Sequence, residues 1–162
     1  MHPAMRTIFA ADIGATNCRF ALFEANPCEP GRPMLRLLRE KWLAGADYPD
    51  FRQALERLLA PSANGANDPF LTREAHALPA IAVLAPAGPV EGEVCRISNL
   101  PWVIQGQDVR DVLGIVDVRL INDFAAQAYA CLMPDAIDAF PLLPGEAVKD
   151  APIAVAGAGT GF

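Results

Sequence analysis

Lysine is almost absent from this chain, histidine occurs twice, and no Cys-x-x-Cys pair or G-x-x-x-x-G-K-[ST] segment is found anywhere in it. Each shortage removes a class of function. Two lysines, scattered arginines and a formal net charge of −6 leave no basic stripe to neutralise a nucleic-acid backbone. His2 and His76 lack the spacing of metal ligands and offer no catalytic pair. Cys18, Cys28, Cys95 and Cys131 show no ligand-like spacing either, so reduced and mostly buried thiols are expected. Without a Walker segment, phosphate binding of the P-loop kind is excluded. Charges or prolines interrupt every apolar run before it could cross a bilayer, and the N-terminus shows no signal-peptide cleavage site. The expectation is a soluble, cytoplasmic protein without nucleic-acid or membrane partners.

What is present is enough for a folded core. The 162 residues are 52% hydrophobic against 20% charged, the balance of one ordinary globular domain spanning 1–162. "RTIFAADI" reads as a buried strand ending at a turn on Gly14, and "CRFALFE" as a second strand covered on both faces. "MLRLLREKWLA" alternates less cleanly and suits a third strand near an edge, with a short helix as the other reading. Three strands so close in sequence predict an antiparallel meander. "DYPDFRQALERLLAPS" predicts a helix with Asp47 near its cap and Pro49 in its first turn. "ALPAIAVLAP" predicts a buried strand, and "GPVEGEVCRIS" a hairpin turning at Glu91-Gly92. "QGQDVRDVLG" predicts a helix stopped by Gly114, "VDVRLI" a strand, and "DFAAQAYACLM" a helix halted by Pro134. "APIAVAGAG" predicts a last strand running into glycines. The fold class is therefore α/β, a mixed sheet with three antiparallel strands first and helices on both faces.

Three places could carry chemistry. The first is "FAADIGATNCRF", where Asp12 ends an apolar strand at the mouth of a tight turn. Gly14 would allow backbone angles closed to other residues, so that successive N–H groups converge on one anion. Thr16 and Asn17 add side-chain donors, and Asp12 could hold a hydrated Mg²⁺. The plain alternative is a hairpin tip in which Asp12 bonds turn amides. The second place is "VRLINDFAAQ", where a strand ends in Asn122-Asp123 and a helix begins at once. Either residue makes a good helix cap. The pair also suits a polyol, the amide donating to one hydroxyl while the acid accepts from another and takes its proton. The third is "VAGAGTGF", in which Gly157, Gly159 and Gly161 alternate with small residues and Thr160 offers a hydroxyl. It is either a second phosphate-binding turn or a tight bend.

Taken in order, these segments resemble the N-terminal part of the bacterial glucokinase family, within the sugar-kinase, heat-shock ATPase and actin superfamily. "DIGATNCRF" is similar to the family's first phosphate motif, "ISNLPW" to its [ST]-N-x-x-W segment, "LINDFAAQA" to its I-N-D-F-x-A segment, and "AVAGAGTGF" to its second phosphate motif. The resemblance implies an actin-like ATPase lobe of ribonuclease H type and the phosphorylation of glucose at its 6-hydroxyl by ATP with Mg²⁺. It implies Asp123 as general base, Asn122 and Asn99 on the sugar, and Asp12 organising the metal through water. Gly14, Thr16 and Asn17 would contact the phosphates, with Gly159 and Thr160 closing from the other side. Trp102 would shape the sugar side or serve the fold alone, and Arg19 would be a structural ion-pair partner.

Two departures from the family pattern stand out. Ala15 replaces the usual glycine, which would strain the loop if that position needs positive φ. The chain also stops inside the second phosphate motif, so the expectation is one N-terminal lobe without its C-terminal partner, inactive alone and prone to self-association or homodimerisation. The competing readings are a non-catalytic sugar-binding or regulatory module with the same fold and a kinase for another sugar.

Overall fold

The computed structural model describes residues 6–29, 32–61, 69–72, 74, 78–97, 99–133, 140, 142–143, 145–146 and 148–157. The chain divides into two units, Met1–Asp123 and Phe124–Phe162. Three long strands open the first unit: β1 (Arg6–Ile13), β2 (Asn17–Glu29) and β3 (Arg32–Ala44). They form the expected antiparallel meander, with Asp12 opposite Arg19 and Arg19 opposite Trp42. A 3-10 turn over Gly45–Asp47 leads to helix α1 (Phe51–Leu59). Then come β4 (Ile81–Pro86), the short strands β5 (Val90–Glu91), β6 (Val94–Arg96) and β7 (Val103–Gln105), helix α2 (Gly106–Leu113) and β8 (Val118–Leu120).

The main sheet has the order β3-β2-β1-β4-β8, with β4 parallel to both β1 and β8. Mixed pairing follows from connection length. Strands joined by tight turns run antiparallel, whereas β1, β4 and β8 are joined through longer segments that contain helices. β5, β6 and β7 make a separate antiparallel sheet, whose third strand the sequence reading missed. β3 is the edge its mixed alternation suggested. Its pairing with β2 slips between Leu22 and Phe23, and Leu35, Leu37, Leu38 and Trp42 are exposed. A bulge and charged side chains along such an edge discourage strand-to-strand aggregation.

Alternation along the strands makes the core. Phe9, Ala11 and Ile13 of β1, Cys18 and Phe20 of β2, and Ala82 and Leu84 of β4 are buried with Phe51, Leu55 and Leu58 of α1 and Val109, Val112 and Leu113 of α2. Phe9 and Phe20 stack with ring centroids 6.0 Å apart. Burying each large apolar side chain contributes roughly 1.5–3 kcal/mol, so this single face supplies most of the driving force.

The helix ends obey local chemistry, with one correction. α1 is capped by Asp50, whose Oδ1 accepts the Gln53 N–H at 2.8 Å; Asp47 lies in the 3-10 turn and Pro49 precedes the cap. Asp50 wins because its extended backbone turns the carboxylate onto the third helical amide. α2 ends as expected at Gly114, at φ 79° in the left-handed region.

The second unit is simpler. Helix α3 (Asp123–Cys131) starts on the last residue of the first unit and otherwise belongs to the second, with no buried residue. Residues 151–157 do not form the expected strand. A strand needs a neighbour for its backbone groups, and among the described residues none pairs with this segment. Side chains of Ala128, Tyr129, Leu132 and Ile153 instead line an apolar hollow of about 410 Å³ within this unit.

Candidate active site

Three parallel strands, β1, β4 and β8, end side by side, and Asp12, the turn of residues 14–17, Asn122 and Asp123 lie at those carboxyl ends. In open α/β sheets this rim is where ligands bind, because the loops leaving neighbouring strands open a crevice there. Asp12 is the penultimate residue of β1, in register with Ala85 of β4. Asn122 and Asp123 follow β8 directly. Two backbone bonds fasten the rim: Ala87 N–H donates to Ile13 O at 2.9 Å and Ile121 N–H to Leu84 O at 2.9 Å.

Asp12 and Asp123 are close enough for the charge of one to act on the other. Burial raises the Asp12 pKa above its ordinary value, the charge of Asp123 raises it further, and Arg19 opposes both. Arg19 is itself held from the other side. Its Nε and Nη2 donate to Glu40 Oε2 at 3.1 and 2.7 Å, and its guanidinium lies 5.3 Å from the centre of the Trp42 ring. Arg19 is thus an ion-pair residue of the β2–β3 surface that also faces Asp12 across the strand pair.

Asn122 is anchored rather than loose. Its Nδ2 donates to Gly88 O at 3.0 Å and to Asp123 Oδ1 at 2.7 Å, so the loop after β4 fixes the amide and the amide fixes the acid. The loop has little freedom to move. A Cβ on Gly88 would lie 2.8 Å from Arg96 O and 2.9 Å from Cys95 Sγ. Sequence reasoning missed Gly88, since nothing in "APAGPV" reveals that β6 passes directly beneath it.

The turn after β1 differs from its expected form. Neither Gly14 nor Ala15 has a positive φ; among the described residues only Gly92, Gly114 and Asp150 do. Ala15 is therefore unstrained. Gly14 is needed for closeness, because a Cβ there would sit 3.0 Å from Asn17 O. Its N–H is spent on that same carbonyl, at 3.1 Å. The amides of Ala15 and Thr16 have no acceptor among the described residues, and the Thr16 and Asn17 side chains are exposed. The open part of the turn is thus Ala15 to Asn17, with Gly14 as its closure.

The remaining candidates scatter. Asn99 is exposed on the loop between β6 and β7, which Ile97 N–H closes onto Trp102 O at 3.3 Å. Trp102 is 1% exposed, donates from Nε1 to Tyr48 O at 3.0 Å and lies against Phe51, so it serves the core. Gly157 packs near the Phe124 ring, whereas Gly159, Thr160 and Gly161 lie outside the described residues. Among the described residues no group of three or more His, Cys, Asp or Glu side chains could hold a metal, and no helix is long and apolar enough to cross a membrane.

Comparison with known proteins gives a consistent result. The family model described as Glucokinase matches residues 9–162. A glucokinase of Nostoc punctiforme is 31% identical over 98% of this chain and 42% of its own length. One of Stenotrophomonas maltophilia is 34% identical over 96% of this chain and 43% of its own length. The chain thus spans less than half the length of the curated relatives it matches. A glucokinase crystal structure from an Antarctic psychrotroph superposes on 90% of this chain and 41% of that one, with a TM-score of 0.63 and 26% identity. A glucokinase of Balamuthia mandrillaris in complex with glucose shares the fold at a TM-score of 0.52 and 19% identity, over 79% of this chain and 32% of that one. With mixed sheet, matched family model and relatives in agreement, the chain belongs to the glucokinase family.

Proposed function

We propose that these residues form the N-terminal lobe of an ATP-dependent glucose kinase, and that phosphoryl transfer takes place at the rim between Asp12 and Asp123. The observation that carries this reading is that the two acids stand on one rim, at the carboxyl ends of β1 and β8 with β4 between them, where the charge of Asp123 raises the Asp12 pKa. ATP and glucose are the substrates, and the enzyme works in the cytoplasm, where ATP is supplied.

Each residue then has a definite task. Asp123, held by Asn122, accepts the proton of the glucose 6-hydroxyl as that oxygen bonds to the γ-phosphorus and the bond to the β–γ bridging oxygen breaks, releasing ADP. A carboxylate is in general a weak base towards an alcohol. It suffices because the transition state is loose and the proton leaves late, when the hydroxyl has become acidic. Most of the rate comes from alignment and charge stabilisation. Asn122 and Asn99 take other hydroxyls of the sugar. The free amides of Ala15 and Thr16, with the side chains of Thr16 and Asn17, meet phosphate oxygens.

Mg²⁺ fits this donor set. That ion keeps several waters and takes only one or two carboxylates plus substrate phosphates, and Asp12 is an accessible carboxylate in an excess of local negative charge that Arg19 offsets only in part. When bound, Mg²⁺ supplies neutralisation of phosphate charge. Exposed Leu35, Leu37 and Trp42 add an apolar surface on which the protein self-associates.

The test is glucose-dependent formation of glucose 6-phosphate from Mg-ATP by the full-length protein. Tight glucose binding without any turnover would favour a sugar-binding or regulatory module instead.

A further inference from the structure

Gly45, which no motif in the sequence marks out, touches both the turn after β1 and the loop that carries Asn99 and Leu100. Its N–H donates to Thr16 O at 2.9 Å, fixing the end of β3 to the turn after β1. Its Cα faces Leu100: a Cβ built there would lie 2.8 Å from Leu100 Cδ1, 3.1 Å from Cδ2 and 3.4 Å from Ala15 O. Gly45 is buried and its φ is not positive, so closeness, and not backbone freedom, requires the glycine. A chain of bonds runs through it. Trp102 Nε1 donates to Tyr48 O at 3.0 Å, Tyr48 N–H to Gly45 O at 3.2 Å, and Gly45 N–H to Thr16 O. The loop carrying Asn99 and Leu100 is rooted in that same Trp102.

We infer that Gly45 is a positioning residue: its bare Cα seats the Asn99–Leu100 loop against the turn of residues 14–17 and so sets the distance between the sugar and the nucleotide. This rests on the assignment of Asn99 to the sugar and of Thr16 to the phosphates. A side chain at 45 meets the Leu100 methyls first, so Leu100 must give way on that side while the bond to Thr16 O holds the other. Ala is tolerated by the fold, since the atoms it meets first are the terminal methyls of a flexible side chain. Those methyls must retreat to ordinary carbon contact at about 3.5–4.0 Å, a shift on the order of 1 Å. The loop binds sugar and does not touch the reacting atoms, so the effect falls on glucose KM, with kcat spared.

The experiment compares glucose KM, ATP KM and kcat of the full-length protein with those of Gly45→Ala, Leu100→Ala, the double variant and Asn99→Ala. Gly45→Ala is expected to raise glucose KM about 5- to 10-fold with kcat and ATP KM within about twofold, and trimming Leu100 in the double variant brings glucose KM back to that of Leu100→Ala. An unchanged glucose KM in Gly45→Ala, or a rise that persists undiminished in the double variant, overturns the inference. The Asn99→Ala arm separates it from the assignment beneath. If Asn99→Ala is silent while Gly45→Ala is defective and rescued, the spacing role stands and the assignment of Asn99 to the sugar falls.

Discussion

Asp12 and Asp123 act on each other across the ends of β1 and β8: after burial, the charge of Asp123 is the second cause that holds the Asp12 pKa above its ordinary 3.8, against the pull of Arg19. The native state therefore binds this proton more tightly than the unfolded chain does. The stability from this group is complete below 3.8 and is lost as pH rises through the raised folded value. Removing the charge should help the fold at neutral pH. Asp12→Asn is expected to melt above the parent protein at pH 7, with the difference shrinking as pH falls towards the ordinary carboxylate range. A lower melting temperature at pH 7 would contradict the arrangement.

Gly88 offers a test of the anchoring of Asn122. A Cβ there meets the backbone oxygen of Arg96 at 2.8 Å, which cannot swing aside as a side chain can. Gly88→Ala should cost about 1–3 kcal/mol in urea unfolding, the usual penalty of overpacking. Stability within experimental error of the parent would show that β4 and β6 are less tightly joined at this point.

Much of the fold was legible because the apolar runs of β1, β2 and β4 are long and bounded by turn residues, and because Gly114 has one local meaning, a helix stop. Other features depended on partners that a linear reading cannot see. Asp50 rather than Asp47 caps α1 because of where the chain turns after the 3-10 segment. Residues 151–157 carry a strand-like apolar run, yet among the described residues no neighbour supplies the pairing. Asp12 and Asp123 could be picked out from their strand-end positions, whereas Gly45 and Gly88 could not. Their importance lies in what passes within 3 Å of a missing Cβ, and that is tertiary information.

Trp102 illustrates the same point and makes its own prediction. The family resemblance left it open between sugar side and core, and its burial and its bond to Tyr48 O settle it in the core. Trp102→Phe should lower stability by about 1–3 kcal/mol, through the lost hydrogen bond and an unsatisfied carbonyl, as read by denaturant titration. A loss below about 0.5 kcal/mol would mean that solvent reaches Tyr48 O.

Thiol reactivity should follow burial. Cys18 is buried, with its pKa pushed up to about 11 by burial and then by Asp12, and Cys95 is buried and raised by burial and then by Asp123. Cys131 is exposed. Alkylation of the native protein at pH 8, mapped by peptide mass spectrometry, is expected to modify Cys131 well before Cys18 or Cys95, because the thiolate is the attacking form. Early labelling of Cys18 would show that the turn after β1 opens readily.

The most direct measurement is the effect of Asp123→Asn on the full-length protein, with kcat followed by glucose 6-phosphate formation and glucose affinity by calorimetry. If Asp123 takes the hydroxyl proton at this rim, kcat falls by about 10²–10⁴-fold, the usual range for a lost general base, while the glucose Kd moves only a few-fold. Turnover close to that of the parent protein, with glucose still bound, would contradict it.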